Sequence, residues 1–258
     1  LIPNNQVVIL QSHSPELPSE EIKSINPSDV ERYSLNKKAE ESSFQRADII
    51  VFPNEGCQKI YSSLLTKNCD VKYILSGAKN TFAGREAEKE VLKEEKINLM
   101  YIGRRNSIKG FDIVYETFKE VAKERDDLNL FIVGKGDNLD GPGIFDVGFS
   151  NDPMYWYNSV DYLLNANRKS YFDLSIIEAL TTGVPIIMSS NFGHEYYINK
   201  SDTITTFSDV NSGELNNILR GPLKKRDRKN KKNFELYNSD LTDSHYFNRF
   251  TSFAEELF

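Results

Sequence analysis

Tyr171-Phe-Asp-Leu-Ser-Ile-Ile-Glu-Ala-Leu-Thr-Thr-Gly-Val-Pro-Ile-Ile187 reads as a helix opening at Asp173, carrying Glu178 inside it and stopping at Gly183. A Gly just past the last helical residue, with Pro two positions on, ends a helix and releases the chain into a new element. Val184 to Met188 then reads as a buried strand. Upstream lies a second segment of the same kind, Ile97-Asn-Leu-Met-Tyr-Ile-Gly-Arg-Arg-Asn-Ser-Ile-Lys-Gly-Phe111. There an apolar strand runs into Gly103, and a cationic turn leads into another helix. Short apolar strands alternating with amphipathic helices predict an α/β fold with a parallel sheet covered on both faces.

The polar residues in these two segments suit a diphosphate. Concentrated negative charge needs fixed cations and free backbone N–H groups. Arg104 can fork onto phosphate oxygens, and Lys109 supplies a compact point charge. The Leu174 and Ser175 amides at a helix start are unpaired donors at the positive end of the dipole. Asp173 is either the cap of that helix or part of the ligand site. Glu178 lies in a helix whose other residues are mostly apolar, so its carboxylate needs either a hydrogen-bonding partner, such as a pair of ribose hydroxyls, or exposure. Gly134-Lys-Gly136 follows another strand and reads as a turn or as a direct ligand contact; Leu139 stands where a full dinucleotide fingerprint has its third Gly.

Around these segments, strands are expected at Gln6–Gln11, Ala47–Phe52, Val71–Leu75, Ile97–Gly103, Leu128–Gly134, Phe145–Phe149, Tyr162–Ala166, Val184–Met188 and Thr203–Phe207. Helices are expected at Val30–Arg46, Asn54–Leu65, from Phe111 to Ala122, at Ser212–Leu219 and over the amphipathic terminus His245–Phe258. His13, just after the first strand, either orients a ligand hydroxyl or closes a loop before Pro15. His194 reads as a surface or loop-packing residue.

Both segments resemble the C-terminal, donor-binding domain of retaining glycosyltransferases of the GT-B fold, family 4 (group 1) type, over about residues 45–210. The resemblance implies two Rossmann-like halves facing across a cleft: 1–78 as the last part of the acceptor-side half, 79–240 as the doubly wound nucleotide-sugar-binding half, and 241–258 as a terminal helix bracing the first. It implies that residues preceding Leu1 are missing from the first half. It implies donor contacts at Arg104, Lys109, Gly134, Asp173, Leu174, Ser175 and Glu178, with Glu178 at the ribose, and His13 facing the transferred sugar. The family usually carries a second Glu eight positions before the ribose Glu; here that position is Ser170, which can bind a hydroxyl but offers no carboxylate. The implied activity is transfer of a sugar, with retention, from a UDP- or GDP-linked donor to a saccharide or lipid-linked acceptor, in cell-surface polysaccharide or glycoconjugate synthesis. Ser170 keeps open a non-catalytic nucleotide-sugar-binding partner subunit. A sugar-nucleotide 2-epimerase lacks the expected carboxylates.

Composition limits the partners. The 258 residues carry a formal charge of −6, which argues against nucleic acid. No apolar run approaches the roughly 20 residues of a bilayer span. No basic cluster leads an apolar block near the start. Cys57 and Cys69 lack metal-ligand spacing and fit a reducing cytoplasm. No cofactor is expected, and no metal, since Arg104 and Lys109 supply the positive charge and no Asp-x-Asp pair is present. Lys224-Lys-Arg-Asp-Arg-Lys-Asn-Lys-Lys232 holds seven basic residues in nine. It reads as a solvated helix face or as a contact with anionic lipid at the inner face of a membrane.

Overall fold

The computed structural model describes residues 6–65, 69–81, 95–208 and 213–257. The first half is a three-stranded parallel sheet in the order β1 (Ile9–Gln11), β2 (Ile49–Phe52), β3 (Asp70–Tyr73). Helices α1 (Pro18–Ile25) and α2 (Val30–Arg46) cross from β1 to β2, and α3 (Glu55–Ile60) follows β2. Asn54 caps α3, its side chain accepting from the Cys57 amide at 3.0 Å. The first strand and α3 are shorter than the sequence pattern suggests. α1, which has Pro18 at its first turn, was not anticipated at all.

The second half is a six-stranded, all-parallel sheet. Its strands are β4 (Ile97–Ile102), β5 (Leu128–Val133), β6 (Ile144–Gly148), β7 (Tyr162–Asn165), β8 (Ile186–Ser189) and β9 (Ile204–Phe207). They lie in the order β6-β5-β4-β7-β8-β9. Counted within the sheet this is 3-2-1-4-5-6, the doubly wound order, whose switch point falls between β4 and β7. Every residue of β5 is buried, as strands covered by helices on both faces require. One face is covered by α4 (Phe111–Val121), through Val114, Phe118 and Val121, and by α7 (Glu214–Arg220). The other is covered by α5 (Pro153–Ser159) and α6 (Leu174–Thr182). Gly183 ends α6 at φ +72°, a conformation that favours Gly. The Ser212–Leu219 expectation becomes α7, which starts at Glu214; residue 212 lies outside the described residues.

The core on the α6 face does not stop at the domain boundary. Phe44, Phe52, Cys57 and Tyr61 of the first half pack in one cluster with Tyr171, Phe172 and Tyr197 of the second. α3 abuts a 3-10 turn, Phe192–Tyr197, so tightly that a Cβ on Gly56 would lie 1.9 Å from the Phe192 carbonyl oxygen. Lys59 pairs with Glu195 across the same seam at 2.7 Å.

The chain returns through α8 (Lys232–Leu236), a π turn at Tyr237–Leu241 and α9 (Asp243–Glu255). Phe253 of α9 packs on Ile49, Val51 and Ile74 of the first half. The basic run is not a helix face. Over 224–230 it is an extended strap, and Arg226 is tied by its guanidinium to the Tyr157 and Thr182 carbonyls. Lys225 pairs with Asp161 at 3.1 Å. Among the described residues no helix is long and apolar enough to cross a membrane.

Candidate functional site

β4 and β7 diverge at the switch point, and the residues following them enclose a cavity of about 170 Å³ lined by Tyr101, Gly103, Lys109, Asn167, Ser175 and Glu178. A wider hollow of about 490 Å³ opens beside it between Arg104, Arg105, Gly134, Lys135, Phe149 and Ser150. Ligands of open α/β sheets bind beyond the carboxyl ends of strands at this point. The strand exits come close together because they are glycines. A Cβ on Gly134 would lie 2.1 Å from the Gly103 oxygen. Gly110 (φ +62°) lets the start of α4 touch the end of β7, 1.8 Å from the Ala166 oxygen for any added Cβ.

The structure brings Arg104, Lys109, Gly134, Asp173, Leu174, Ser175 and Glu178 to this one end of the sheet. Glu178 is half-buried, and its carboxylate has no hydrogen-bond or ion-pair partner among the described residues; burial raises its pKa. The Leu174 and Ser175 amides head α6 and have no acceptor within it.

Asp173 occupies the N-cap position without capping by its side chain. Its carboxylate turns instead to Lys109, at 2.9 Å, and accepts from the Asn167 amide. His194 Nε2 stands 3.4 Å from it, too poorly aligned for a good hydrogen bond. Burial alone would raise the Asp173 pKa, but His194 and Lys109 outweigh it and hold the carboxyl well below the usual range. His194 is fully buried, so the surface alternative is excluded and it packs within its loop: the 3-10 turn folds it under the helix start.

Arg104 is also paired. Its guanidinium reaches across the cleft to Glu21 of α1 at 3.0 Å. Arg105 is buried and serves the fold: it pairs with Asp146 and donates to the Gly134 and Asp137 carbonyls, fixing the turn after β5. Each of these three cations therefore has a carboxylate partner.

His13 is exposed, on a loop clamped from both halves. Tyr171 donates to the Ser12 carbonyl at 2.5 Å, and Tyr61 donates to the Ser14 carbonyl at 2.8 Å. Ser170, next to Tyr171 in sequence, is fully buried, and its hydroxyl has no partner.

Residues 96–218 match the family Glycosyl transferases group 1. Over that stretch the chain is similar to group 1 glycosyltransferases. An uncharacterized glycosyltransferase of Haemophilus influenzae is 26% identical over 109 residues, 38% of this chain and 31% of that one, so the match spans under a third of the relative's length. Three solved structures share the fold at 14–15% identity. Sucrose-phosphate synthase from Thermosynechococcus elongatus aligns with a TM-score of 0.69 over 96% of this chain and 67% of its own. WaaG, a glycosyltransferase involved in lipopolysaccharide biosynthesis, gives 0.67 over 96% and 74%. HepE of Anabaena, in complex with UDP and glucose, gives 0.66 over 98% and 71%. The architecture is GT-B-like, with two Rossmann-like halves. Within the group 1 segment, the sequence signals located the cations and Glu178. They carried no sign of Glu21 or His194 as neighbours, because those contacts join elements far apart in the chain.

Proposed function

We propose that this protein is a retaining, metal-independent glycosyltransferase that moves a hexose from a nucleotide-diphosphate sugar, UDP- or GDP-linked, to a saccharide or lipid-linked acceptor. The observation that carries this reading is the convergence of Lys109, the α6 N-terminus and a partnerless Glu178 on the cavity at the switch point, with Arg104 in the hollow that opens beside it. The diphosphate takes Arg104 and Lys109, and the free α6 amides add donors of fixed direction. As the sugar–phosphate bond breaks, charge gathers on the leaving diphosphate, and cations already in place stabilise it without reorganising. Glu178 receives ribose hydroxyls, which supply the hydrogen bonds its carboxylate lacks. His13 and Ser170 are assigned to the sugar side of the cleft. The group belongs on the cytoplasmic side, in cell-surface polysaccharide or glycoconjugate synthesis. Lys224, Lys229, Lys231 and Lys232, exposed members of the basic run, are offered to anionic lipid.

A second reading, a non-catalytic nucleotide-sugar-binding partner subunit, is favoured by Ser170, where no carboxylate is offered. Assemblies of this kind of fold exist, as the solved GtfA/B complex aligns at a TM-score of 0.65.

Calorimetry with UDP and GDP tests the grip. Arg104→Ala should weaken nucleotide binding by about 1.5–3 kcal/mol, the range for hydrogen bonds to charged groups. Glu178→Gln should weaken the nucleotide by about tenfold while leaving the free protein as stable or slightly more so, because a half-buried unpaired charge is removed. In a transfer assay, His13→Ala should lower the turnover number with little change in nucleotide affinity. Nucleotide affinity unchanged in both binding variants would move the phosphate site elsewhere. Nucleotide-sugar binding without transfer to any acceptor would favour the partner-subunit reading.

A further inference from the structure

Lys109 and Asn167 line the cavity at the switch point, and both reach from it to the same carboxylate. Lys109 donates to Asp173 Oδ1 at 2.9 Å, and Asn167 donates to Oδ2. The third group at this carboxylate is His194, whose Nε2 stands 3.4 Å from Oδ2. His194 is wholly enclosed, yet neither of its ring nitrogens makes a hydrogen bond. Buried polar groups normally have partners, so an imidazole left this way calls for a reason.

The other titratable groups around it are neutral or turned away. Cys57 of α3 stands beside neighbouring Gly193, and burial pushes its thiol up to about 12. The Tyr197 ring meets the imidazole edge-on at 5.9 Å, and burial raises the Tyr197 and Tyr157 hydroxyls well above their ordinary value. Glu195, next in the chain, is paired with Lys59 at the seam. Asp173 is therefore the charge that His194 faces, and Lys109 is the charge that already answers it. Burial acts to raise the Asp173 pKa, and both His194 and Lys109 lower it against that.

A diphosphate in the cavity competes with Asp173 for the Lys109 ammonium, a point charge on a flexible stem. If Lys109 turns to the phosphates, Asp173 is left as a buried carboxylate without a cation, which is costly. Histidine is the side chain that gains charge near neutral pH, and one stands in reach with no other engagement. We propose that His194 is a positioning residue for the phosphate grip: as Lys109 turns from Asp173 to a bound diphosphate, the imidazole takes a proton from solvent and replaces Lys109 at Asp173. No bond of the substrate is made or broken in this step. It deepens the diphosphate site of the reading above and rests on that reading.

The test is calorimetry with UDP-glucose and GDP-mannose at pH 7.5, in buffers of different ionisation enthalpy, which counts the protons bound with the ligand. Neither nucleotide sugar has a group that titrates near neutral pH, so any uptake belongs to the protein. The expected result is uptake of a large fraction of one proton, with affinity falling as pH rises from 6.5 to 8.5. The ring ¹⁵N signals supply a second readout. The chain has three His, and spectra of His13→Gln and His245→Gln single out those of His194. Its ring should be neutral in the free protein and imidazolium once the nucleotide sugar is bound. His194→Gln keeps a donor toward Asp173 but cannot take the proton. It should abolish the uptake and bind roughly tenfold less tightly, the scale of one hydrogen bond to a charged group. Should that variant not fold, the wild-type proton count and ring spectra decide. No uptake by wild type, a ring of unchanged charge, or uptake that persists in His194→Gln overturns the proposal and leaves the nucleotide-sugar reading standing. A wild type that binds neither nucleotide sugar overturns both.

Discussion

Gly193→Ala is expected to destabilise the protein by about 3 kcal/mol, the upper part of the overpacking range. The new Cβ would lie 1.5 Å from the Tyr171 carbonyl oxygen and 2.7 Å from the Cys57 sulfur. Neither can step aside cheaply. The Gly193 amide donates to the Ser170 carbonyl at 3.0 Å, and its own carbonyl accepts from the Asn54 side chain at 2.9 Å. The residue is thus a close-packed joint between α3 of one half and the Ser170–Phe172 segment of the other. Gly148→Ala is the control. Gly148 has nothing within 4 Å of an added Cβ but sits at φ +69°, so its cost is the left-handed strain of about 1–2 kcal/mol alone. Urea unfolding of the two variants should separate them. Equal stability would mean that the joint is looser than the distances indicate.

Lys109→Ala is expected to cost about 3 kcal/mol of stability, the range for removing one partner of a buried pair. Asp173 is only 10% exposed and would keep Asn167 and His194 but lose its one full cation. The same substitution should weaken UDP or GDP by about 1.5–3 kcal/mol. The double variant Lys109→Ala/Asp173→Asn separates the two effects: stability should largely return, while nucleotide affinity should not. Arg104→Ala gives the contrast, since its pair with Glu21 is exposed and surface pairs contribute about 0–1 kcal/mol. Acid sensitivity follows with a definite sign. The Asp173 pKa is lowered in the folded state, so its contribution is complete above the unfolded value of about 3.9 and is lost as pH falls through the folded value. Below about pH 4 the wild type should therefore lose stability more steeply than Lys109→Ala. A double variant no more stable than Lys109→Ala would show that the pair is not what holds the site together.

The parts of the site legible in the sequence are those written in local punctuation. Strand–Gly–helix at Gly103, strand–Gly at Gly134 and a helix opening after Asp173 each mark the carboxyl end of a strand, and doubly wound sheets collect those ends at one place. What stayed hidden depends on contacts between distant elements. Nothing near Arg104 signals that its guanidinium meets Glu21, or near Lys109 that its ammonium meets Asp173, 64 residues away. His194 looked like a loop residue because its burial comes from the 3-10 turn folding beneath α6. In the basic run, Arg226 reads like its neighbours, yet it is spent on carbonyls at the ends of α5 and α6. Charge runs describe composition, and composition does not say which member turns inward.

The aromatic cluster from Phe44 and Tyr61 to Phe172 and Tyr197 has a consequence for how a donor enters. Two walls that shared no side chains could swing apart like a hinge. Here such a swing would expose rings now buried between the walls, at about 25 cal/mol for each Å² of apolar surface wetted. Exchange of the exposed Glu21–Arg104 pair for phosphate costs far less. Admission of a phosphate to the cleft is therefore expected through exchange at the Glu21–Arg104 pair, while the two sheets keep their mutual pose.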